Sequence, residues 1–145
     1  MSRQKGTKMA IDFKNINLEV IDINTNATPD IYINIKGVTF SKRVLDDLNY
    51  PQNVQYCIDA ENKVFAVRPC KGNEAKATAF AKPRNENKGS TLSCNNRNLH
   101  DVLVKMIPGY SKDTRYKVVG EFDSENRVIY YDMTTAEVSL YKTSK

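Results

Sequence analysis

The residues that most often carry catalysis or hold metals are few in this chain and lie far apart. His100 is the only histidine, and no CxxC pair occurs among the three cysteines, which are Cys57, Cys70 and Cys94. Zinc sites and nucleophile–base pairs need several such groups close together, so the sequence excludes most sites of both kinds. Asp46 and Asp47 are neighbours on a predicted helix, where their side chains diverge into solvent. We predict free thiols, no enzymatic activity, no metal and no cofactor.

Positive charge is concentrated in two segments of a chain whose formal net charge is +5. Residues 1–9 hold three basic residues and no acid, and residues 68–88 hold six basic and two acidic residues. Such patches suit polyanions, although a solvated lysine-rich loop or a loop that binds an acidic protein has the same composition. Phe80 is a ring that can stack on a base. The candidate contacts beside it are Lys71, Lys76, Lys82 and Arg84.

Length and hydropathy restrict the class of protein. With 145 residues, the chain fits one domain or two small units that share one core. No window approaches the roughly 18 apolar residues of a membrane helix. The basic N-terminus is not followed by the apolar run of a signal peptide, so we expect a cytoplasmic protein.

The first half of the chain is predicted to contain strands, one short helix and a hairpin. Ser41 is a predicted N-cap, and Pro51 ends the helix because it disfavours helical dihedrals at the preceding residue. Alternating apolar and polar residues predict the strands. The elements in order are strands over 11–23, 31–36 and 38–40, a helix through Val44, Leu45 and Leu48, and a hairpin with arms at 54–58 and 64–67.

The same order of elements recurs in the second half. A strand at 90–93, a helix marked by Leu99 and Met106, and a hairpin with arms at 116–120 and 128–131 are predicted. The domain organisation is then a basic tail (1–9), a first unit with an extra N-terminal strand (10–70), a basic linker with a short edge strand near Phe80 (71–89), a second unit (90–132) and a C-terminal appendage (133–145).

The two predicted hairpins share sequence as well as type. Residues 59–64, Asp-Ala-Glu-Asn-Lys-Val, match residues 123–128, Asp-Ser-Glu-Asn-Arg-Val, at a spacing of 64 residues. Turn chemistry alone favours recurring Asp and Asn, but it does not account for the strand and helix that precede each hairpin. We interpret the pattern as a duplicated strand–helix–hairpin unit. Neither unit of about 40 residues is large enough to bury a stable core alone.

The first unit resembles the AbrB-type swapped-hairpin transcription-factor domain. The resemblance rests on residues 37–51, Gly-Val-Thr-Phe-Ser-Lys-Arg-Val-Leu-Asp-Asp-Leu-Asn-Tyr-Pro, and on the hairpin after them. The family usually carries Ile-Pro where this chain has Phe40-Ser41, and the second unit resembles the family more distantly. The resemblance implies a mainly β fold with two short helices (α+β), in which two units exchange hairpins to form a pseudo-dimeric barrel.

The same resemblance implies double-stranded DNA as the partner and transcription regulation as the function. The family contacts DNA through basic residues on its first hairpin and around its helix start. The matching positions in this chain are Lys36, Lys42 and Arg43 in the first unit, and Lys88 and Arg97 near the second.

A second hypothesis is a non-enzymatic accessory factor, of the kind that mobile elements encode, that engages a host protein. Five cations over two half-sites are few for DNA, and the eight tyrosines suit protein interfaces. A small enzyme ranks third. Under the first two hypotheses the protein is a monomeric pseudo-dimer or a homodimer that joins through edge strands near Ile16 or Leu140.

Overall fold

The computed structural model describes residues 12, 14–21, 27–83, 86 and 91–139. Within them the chain forms two antiparallel sheets and two helices, so the predicted class, mainly β with two short helices, is confirmed. The helices are α1 (Lys42–Leu48) and α2 (Arg97–Val104). The strands are β1 (Ile31–Ile33), β2 (Val38–Phe40), β3 (Asn53–Asp59), β4 (Val64–Pro69), β5 (Thr78–Ala79), β6 (Leu92–Cys94), β7 (Tyr116–Val118), β8 (Gly120–Asp123), β9 (Val128–Asp132) and β10 (Glu137–Val138).

The first sheet has the strand order β10-β7-β1-β2-β6. Its central hairpin joins β1 and β2 and places Tyr32 opposite Thr39. On the outer sides, β7 pairs with β1 and β6 pairs with β2, so strands distant in sequence flank the hairpin. Thr39 lies opposite Ser93 at the middle of the β2–β6 pair.

The second sheet has the strand order β5-β3-β4-β9-β8. It contains both hairpins foreseen from the sequence, β3–β4 and β8–β9, joined by the pairing of β4 with β9. Ala66 lies opposite Tyr130 in that central pair. Hydrogen bonds between strands distant in sequence therefore hold the two hairpins in one sheet.

One hydrophobic core takes residues from both sheets and both helices. Alternation along the strands turns one face inward, because successive side chains point to opposite sides of a sheet. Phe40 of the first sheet stacks on Tyr56 of the second, with ring centroids 6.2 Å apart. The fully buried side chains include Ile31, Ile33, Val38, Phe40, Val44, Leu48, Phe65, Leu103, Ile129, Tyr131 and Met133.

Helix α1 forms where the sequence predicts it and buries Val44, Leu45 and Leu48. Its C-cap is Asn49 in the left-handed conformation, at a φ of 62°, which asparagine tolerates better than most residues. Ser41 occupies the N-cap position, but its side chain makes no capping hydrogen bond and its buried hydroxyl has no partner. The predicted capping role of this hydroxyl is therefore wrong.

Helix α2 has the side-chain cap that α1 lacks. Asn96 accepts a hydrogen bond from the backbone N–H of Leu99 at 3.0 Å, which satisfies one of the exposed amides of the first turn. The helix buries Leu99, His100 and Leu103. The spacing of the apolar residues alone was therefore enough to predict this helix.

The predicted strand over 11–23 is wrong for the part that the structure describes. Residues 16–21 form no strand, and their apolar side chains are open to solvent. Leu18 is 88% exposed and Val20 is 100% exposed. The alternating pattern is that of a strand, but no neighbouring strand among the described residues pairs with it.

The predicted linker and appendage both contribute to the body of the protein. Strand β5 lies within residues 71–89 and pairs with the start of β3, which confirms the expected edge strand near Phe80. Strand β10 pairs with β7, and Met133 is fully buried. The described part of 133–145 is therefore more than an appendage, because it completes one edge of the first sheet.

Candidate nucleic-acid interface

Lys36 lies in the tight turn between β1 and β2. The side-chain oxygen of Asn34 accepts hydrogen bonds from the backbone N–H groups of Lys36 (2.8 Å) and Gly37 (3.0 Å). Such local bonds fix the turn without help from the sheet. The Lys36 side chain is exposed, as contact with a phosphate requires.

Two contacts hold this turn against the start of α2. A Cβ atom at Gly37 would overlap the carbonyl oxygen of Cys94, so only glycine allows the two segments to approach so closely. The Nε2 atom of His100 lies 2.7 Å from the carbonyl oxygen of Asn34. Because a carbonyl can only accept, Nε2 carries the proton and donates. The buried His100 therefore helps to hold the turn against α2.

Arg97 is the first residue of α2 and is exposed. Because the turn and the helix start are in contact, Lys36 and Arg97 belong to two segments that lie against each other. Lys112 joins them, since it lines a small hollow of about 150 Å³ together with Ile35. We call Lys36, Arg97 and Lys112 the Lys36 corner.

Acidic side chains also lie close to the Lys36 corner. Asp113 lines the same hollow as Lys112, and an oxygen of Asp101 is 3.6 Å from Nδ1 of His100. The corner thus carries three cations with two acids nearby, a modest excess of positive charge. Sequence reasoning missed Lys112, because nothing in its surroundings places it beside a turn more than 70 residues away.

The two cations at the start of α1 are paired with acids one turn later. Lys42 Nζ lies 2.9 Å from Asp46, and Arg43 Nε lies 3.0 Å from Asp47. The hydrogen bond and charge of Asp46 raise the pKa of Lys42. Asp47 is largely buried instead of facing water as predicted, with a side chain only 10% exposed. Both cations are therefore partly neutralised before any ligand arrives.

The linker cations are spread along an exposed stretch beside β5. Lys71, Lys76 and Lys82 are exposed, whereas Lys88 and Arg84 lie outside the described residues. Phe80 does not project toward a ligand as the sequence interpretation proposed. Its ring packs edge-on against Phe40 at a centroid distance of 5.1 Å. A base-stacking role for this ring is incompatible with that packing.

The outward face of the first sheet carries polar side chains that sequence reasoning did not single out. The guanidinium of Arg115 lies 4.2 Å from the centre of the Tyr32 ring, a cation–π contact. Lys117 is 3.7 Å from Asp30. The signal was present in the sequence, since Tyr32 and Lys117 each interrupt a pair of apolar residues and so take the outward positions of their strands.

The described residues hold no metal-binding cluster, no disulfide bond and no membrane-spanning helix. In that part of the chain no group of three or more His, Cys, Asp or Glu side chains is arranged to hold a metal ion. All three cysteines are free. No helix within the described ranges is long and apolar enough to cross a membrane.

Comparison with known proteins adds no family assignment. No family model, no curated protein and no solved structure matches the chain.

Proposed function

We propose that this chain is a DNA-binding transcriptional regulator of the AbrB type, built from two interleaved halves of one chain. The halves comprise residues 31–69 and 78–132, so the second begins earlier than the sequence predicted. The observation that carries the functional part is the Lys36 corner. There, the first turn of one half meets the helix start of the other half and brings together cations distant in sequence.

The registers of the two hairpins support a duplication. Asp59 pairs with Val64 in the first hairpin, and Asp123 pairs with Val128 in the second. Every residue pair of β8–β9 has its counterpart 64 residues earlier in β3–β4. Lys63 and Arg127 both adopt a positive φ, of 57° and 56°. Turn preference alone does not require two whole hairpins to share a register.

The central strand pairs support a twofold relation between the halves. Ala66 and Tyr130 lie 64 residues apart, which is the hairpin spacing, and they pair with each other. Thr39 and Ser93 likewise stand at the centre of the β2–β6 pair. Two antiparallel strands that are copies of one another pair about their own midpoints when a twofold axis relates them.

Two further strand pairs cross between the halves, as exchanged hairpins require. Strand β1 of the first half pairs with β7 of the second, and β5 of the second half pairs with β3 of the first. The Arg127 guanidinium also donates to the carbonyl oxygen of Leu48, which joins the second hairpin to the end of α1. These contacts favour a pseudo-dimeric swapped-hairpin barrel over two separate units.

The spacing of the cations suits a duplex. Lys42 follows β2 and Lys36 precedes it, so an extended strand separates them by about 20 Å. Of the two regions, the Lys36 corner carries the larger excess of positive charge, since the cations at the start of α1 are paired with Asp46 and Asp47. Contacts of this kind bind phosphates without reading sequence, and they neutralise backbone charge along the duplex.

Fluorescence anisotropy with labelled duplex DNA at about 50 mM and about 200 mM salt tests the proposal. We expect binding that weakens steeply as salt rises. Replacing Lys36 and Arg97 together by glutamine removes two phosphate contacts, so the slope of log affinity against log salt should become shallower by roughly 2. Lys63→Asn is the matched control, because it removes one charge at a distant turn whose positive φ asparagine tolerates.

Two results would contradict DNA binding through this face. One is the absence of binding at the lower salt concentration. The other is an unchanged salt slope in the Lys36 and Arg97 double variant. That result would mean that the protein binds DNA but does not use the Lys36 corner to do so.

A second candidate is the protein-binding accessory factor. It is favoured by the pairing of Lys42 with Asp46 and of Arg43 with Asp47, which leaves the start of α1 without strong excess charge. Asp46→Asn discriminates the two. Freeing Lys42 should strengthen DNA binding severalfold if α1 faces phosphates. It should leave a protein complex that survives nuclease treatment unchanged or weakened.

A further inference from the structure

The segment of residues 16–21, which we call the arm, is mainly apolar and pairs with no strand in the part of the chain that the structure describes. Leu18, Val20 and Ile21 are 88%, 100% and 73% exposed. Over residues 16–20 apolar residues alternate with polar ones, the pattern of a strand with one buried face, whereas Ile21 falls on the opposite face. Apolar side chains in this arrangement mark a site of interaction when nothing within the chain covers them.

Strand β3 offers an open edge within the described residues. One side of β3 pairs with β4 along nearly its whole length. On the other side β5 reaches only Asn53 and Val54, so residues 56–59 have no strand beside them there. Unpaired backbone donors and acceptors at such an edge accept an added strand.

An apolar groove runs along this open edge, between β3 and α2. It has a volume of about 300 Å³. Ile58 and Val102 remain 50% and 37% exposed in it, and Tyr56 and Leu99 form its floor. Its lining contains no charged side chain.

The arm and the groove are complementary. A strand added to β3 turns alternate side chains to the face that carries Tyr56 and Ile58. In the arm these would be Ile16, Leu18 and Val20, and Glu19 would point to the opposite, solvent side. The groove thus receives apolar side chains only, and the one charge of the arm stays in water.

We propose that the arm of one copy adds as a strand to the open edge of β3 in a second copy and fills the groove beside α2. Within the described residues both the arm and the groove are uncovered, and the apolar stripe of the one matches the uncharged lining of the other. A reciprocal exchange uses each surface once per chain and closes a twofold dimer. The dimer forms without DNA and is therefore independent of the proposed function.

Analytical ultracentrifugation of the full chain without DNA tests the inference. We expect a monomer–dimer equilibrium between about 1 and about 100 µM. Leu18→Asp places a charge in the groove and should raise the dissociation constant roughly 10- to 100-fold. Val102→Asp, on the other side of the contact, should have an effect of the same size.

Controls separate loss of the contact from loss of the fold. Leu18→Asp should leave the melting temperature of the monomer unchanged, since that side chain is exposed there. Val138→Asp changes an equally apolar residue, 62% exposed on β10, and should leave the dimer intact. The inference is overturned if the wild-type chain stays monomeric at a protein concentration of about 100 µM. It is also overturned if Leu18→Asp has no effect, or if Val138→Asp dissociates the dimer equally.

Discussion

Single residues in this protein act mainly by holding turns in place. The side chain of Asp59 accepts hydrogen bonds from the side chain (2.7 Å) and the backbone (3.1 Å) of Asn62. Asp123 accepts the same two bonds from Asn126, at 2.9 and 3.3 Å. Two turns that lie 64 residues apart therefore use the same hydrogen-bond chemistry.

These bonds give a pH prediction for both turns. Hydrogen bonds from Asn62 and Asn126 lower the pKa of Asp59 and Asp123 below the ordinary value of 3.8. Since the folded pKa is depressed, the charged carboxylates stabilise the fold above about pH 4. That contribution is lost as pH falls through the folded pKa. We expect NMR titration to give a pKa below the ordinary value of 3.8 for both carboxyl groups.

Substitution separates the two turns. Asn62→Ala should raise the pKa of Asp59 toward its ordinary value and leave that of Asp123 unchanged, and Asn126→Ala should do the reverse. An ordinary pKa for either aspartate in the unaltered protein would refute the shared turn chemistry.

At the scale of elements, the contact between the second hairpin and α1 joins parts distant in sequence. Arg127 donates to the carbonyl oxygen of Leu48 at the end of the helix, where carbonyl groups lack helical partners. Cations at a helix C-terminus also interact favourably with its dipole. The equivalent residue of the first hairpin, Lys63, has the same backbone conformation.

This equivalence provides a matched pair of variants. Arg127→Ala should lower the free energy of unfolding by about 1–3 kcal/mol more than Lys63→Ala, because a charged hydrogen bond is lost. The cost of alanine at a positive φ is the same in both and cancels. Urea denaturation measures the difference, and equal losses would mean that the Leu48 contact contributes nothing.

Local elements were predictable from the sequence, and their long-range pairing was not. Helix α1 and both hairpins follow from periodicity and turn residues such as Asp59 and Asn62. The pairing of β4 with β9 depends on tertiary packing that no local pattern encodes. The arm shows the converse, because its alternation predicts a strand, and no strand among the described residues pairs with it.

The candidate site also has one feature that was predictable from the sequence and one that was not. The pairing of Lys42 with Asp46 was readable from a spacing of four residues in a helix. The approach of the turn that holds Lys36 to the start of α2, where Arg97 lies, was not predictable. It depends on how close Gly37 lies to Cys94. Exposed cations could be listed from composition, but which of them share a corner is a property of the fold.

At the scale of the whole molecule, we propose that neither half forms a complete core alone. Strand β1 lies against β7, β5 against β3, and β4 against β9, so each half covers apolar residues of the other. A unit of about 40 residues buries too little surface to offset its conformational entropy. The proposed DNA-binding surface depends on both halves for the same reason, because the turn of Lys36 and the start of α2 belong to different halves.

Circular dichroism of residues 1–76 and 77–145, prepared as separate chains and then mixed, tests this claim most directly. The account predicts that each fragment alone lacks a cooperative unfolding transition. An equimolar mixture should regain the spectrum and the transition of the intact protein. A fragment that unfolds cooperatively by itself, or a mixture equal to the sum of its parts, would contradict the account.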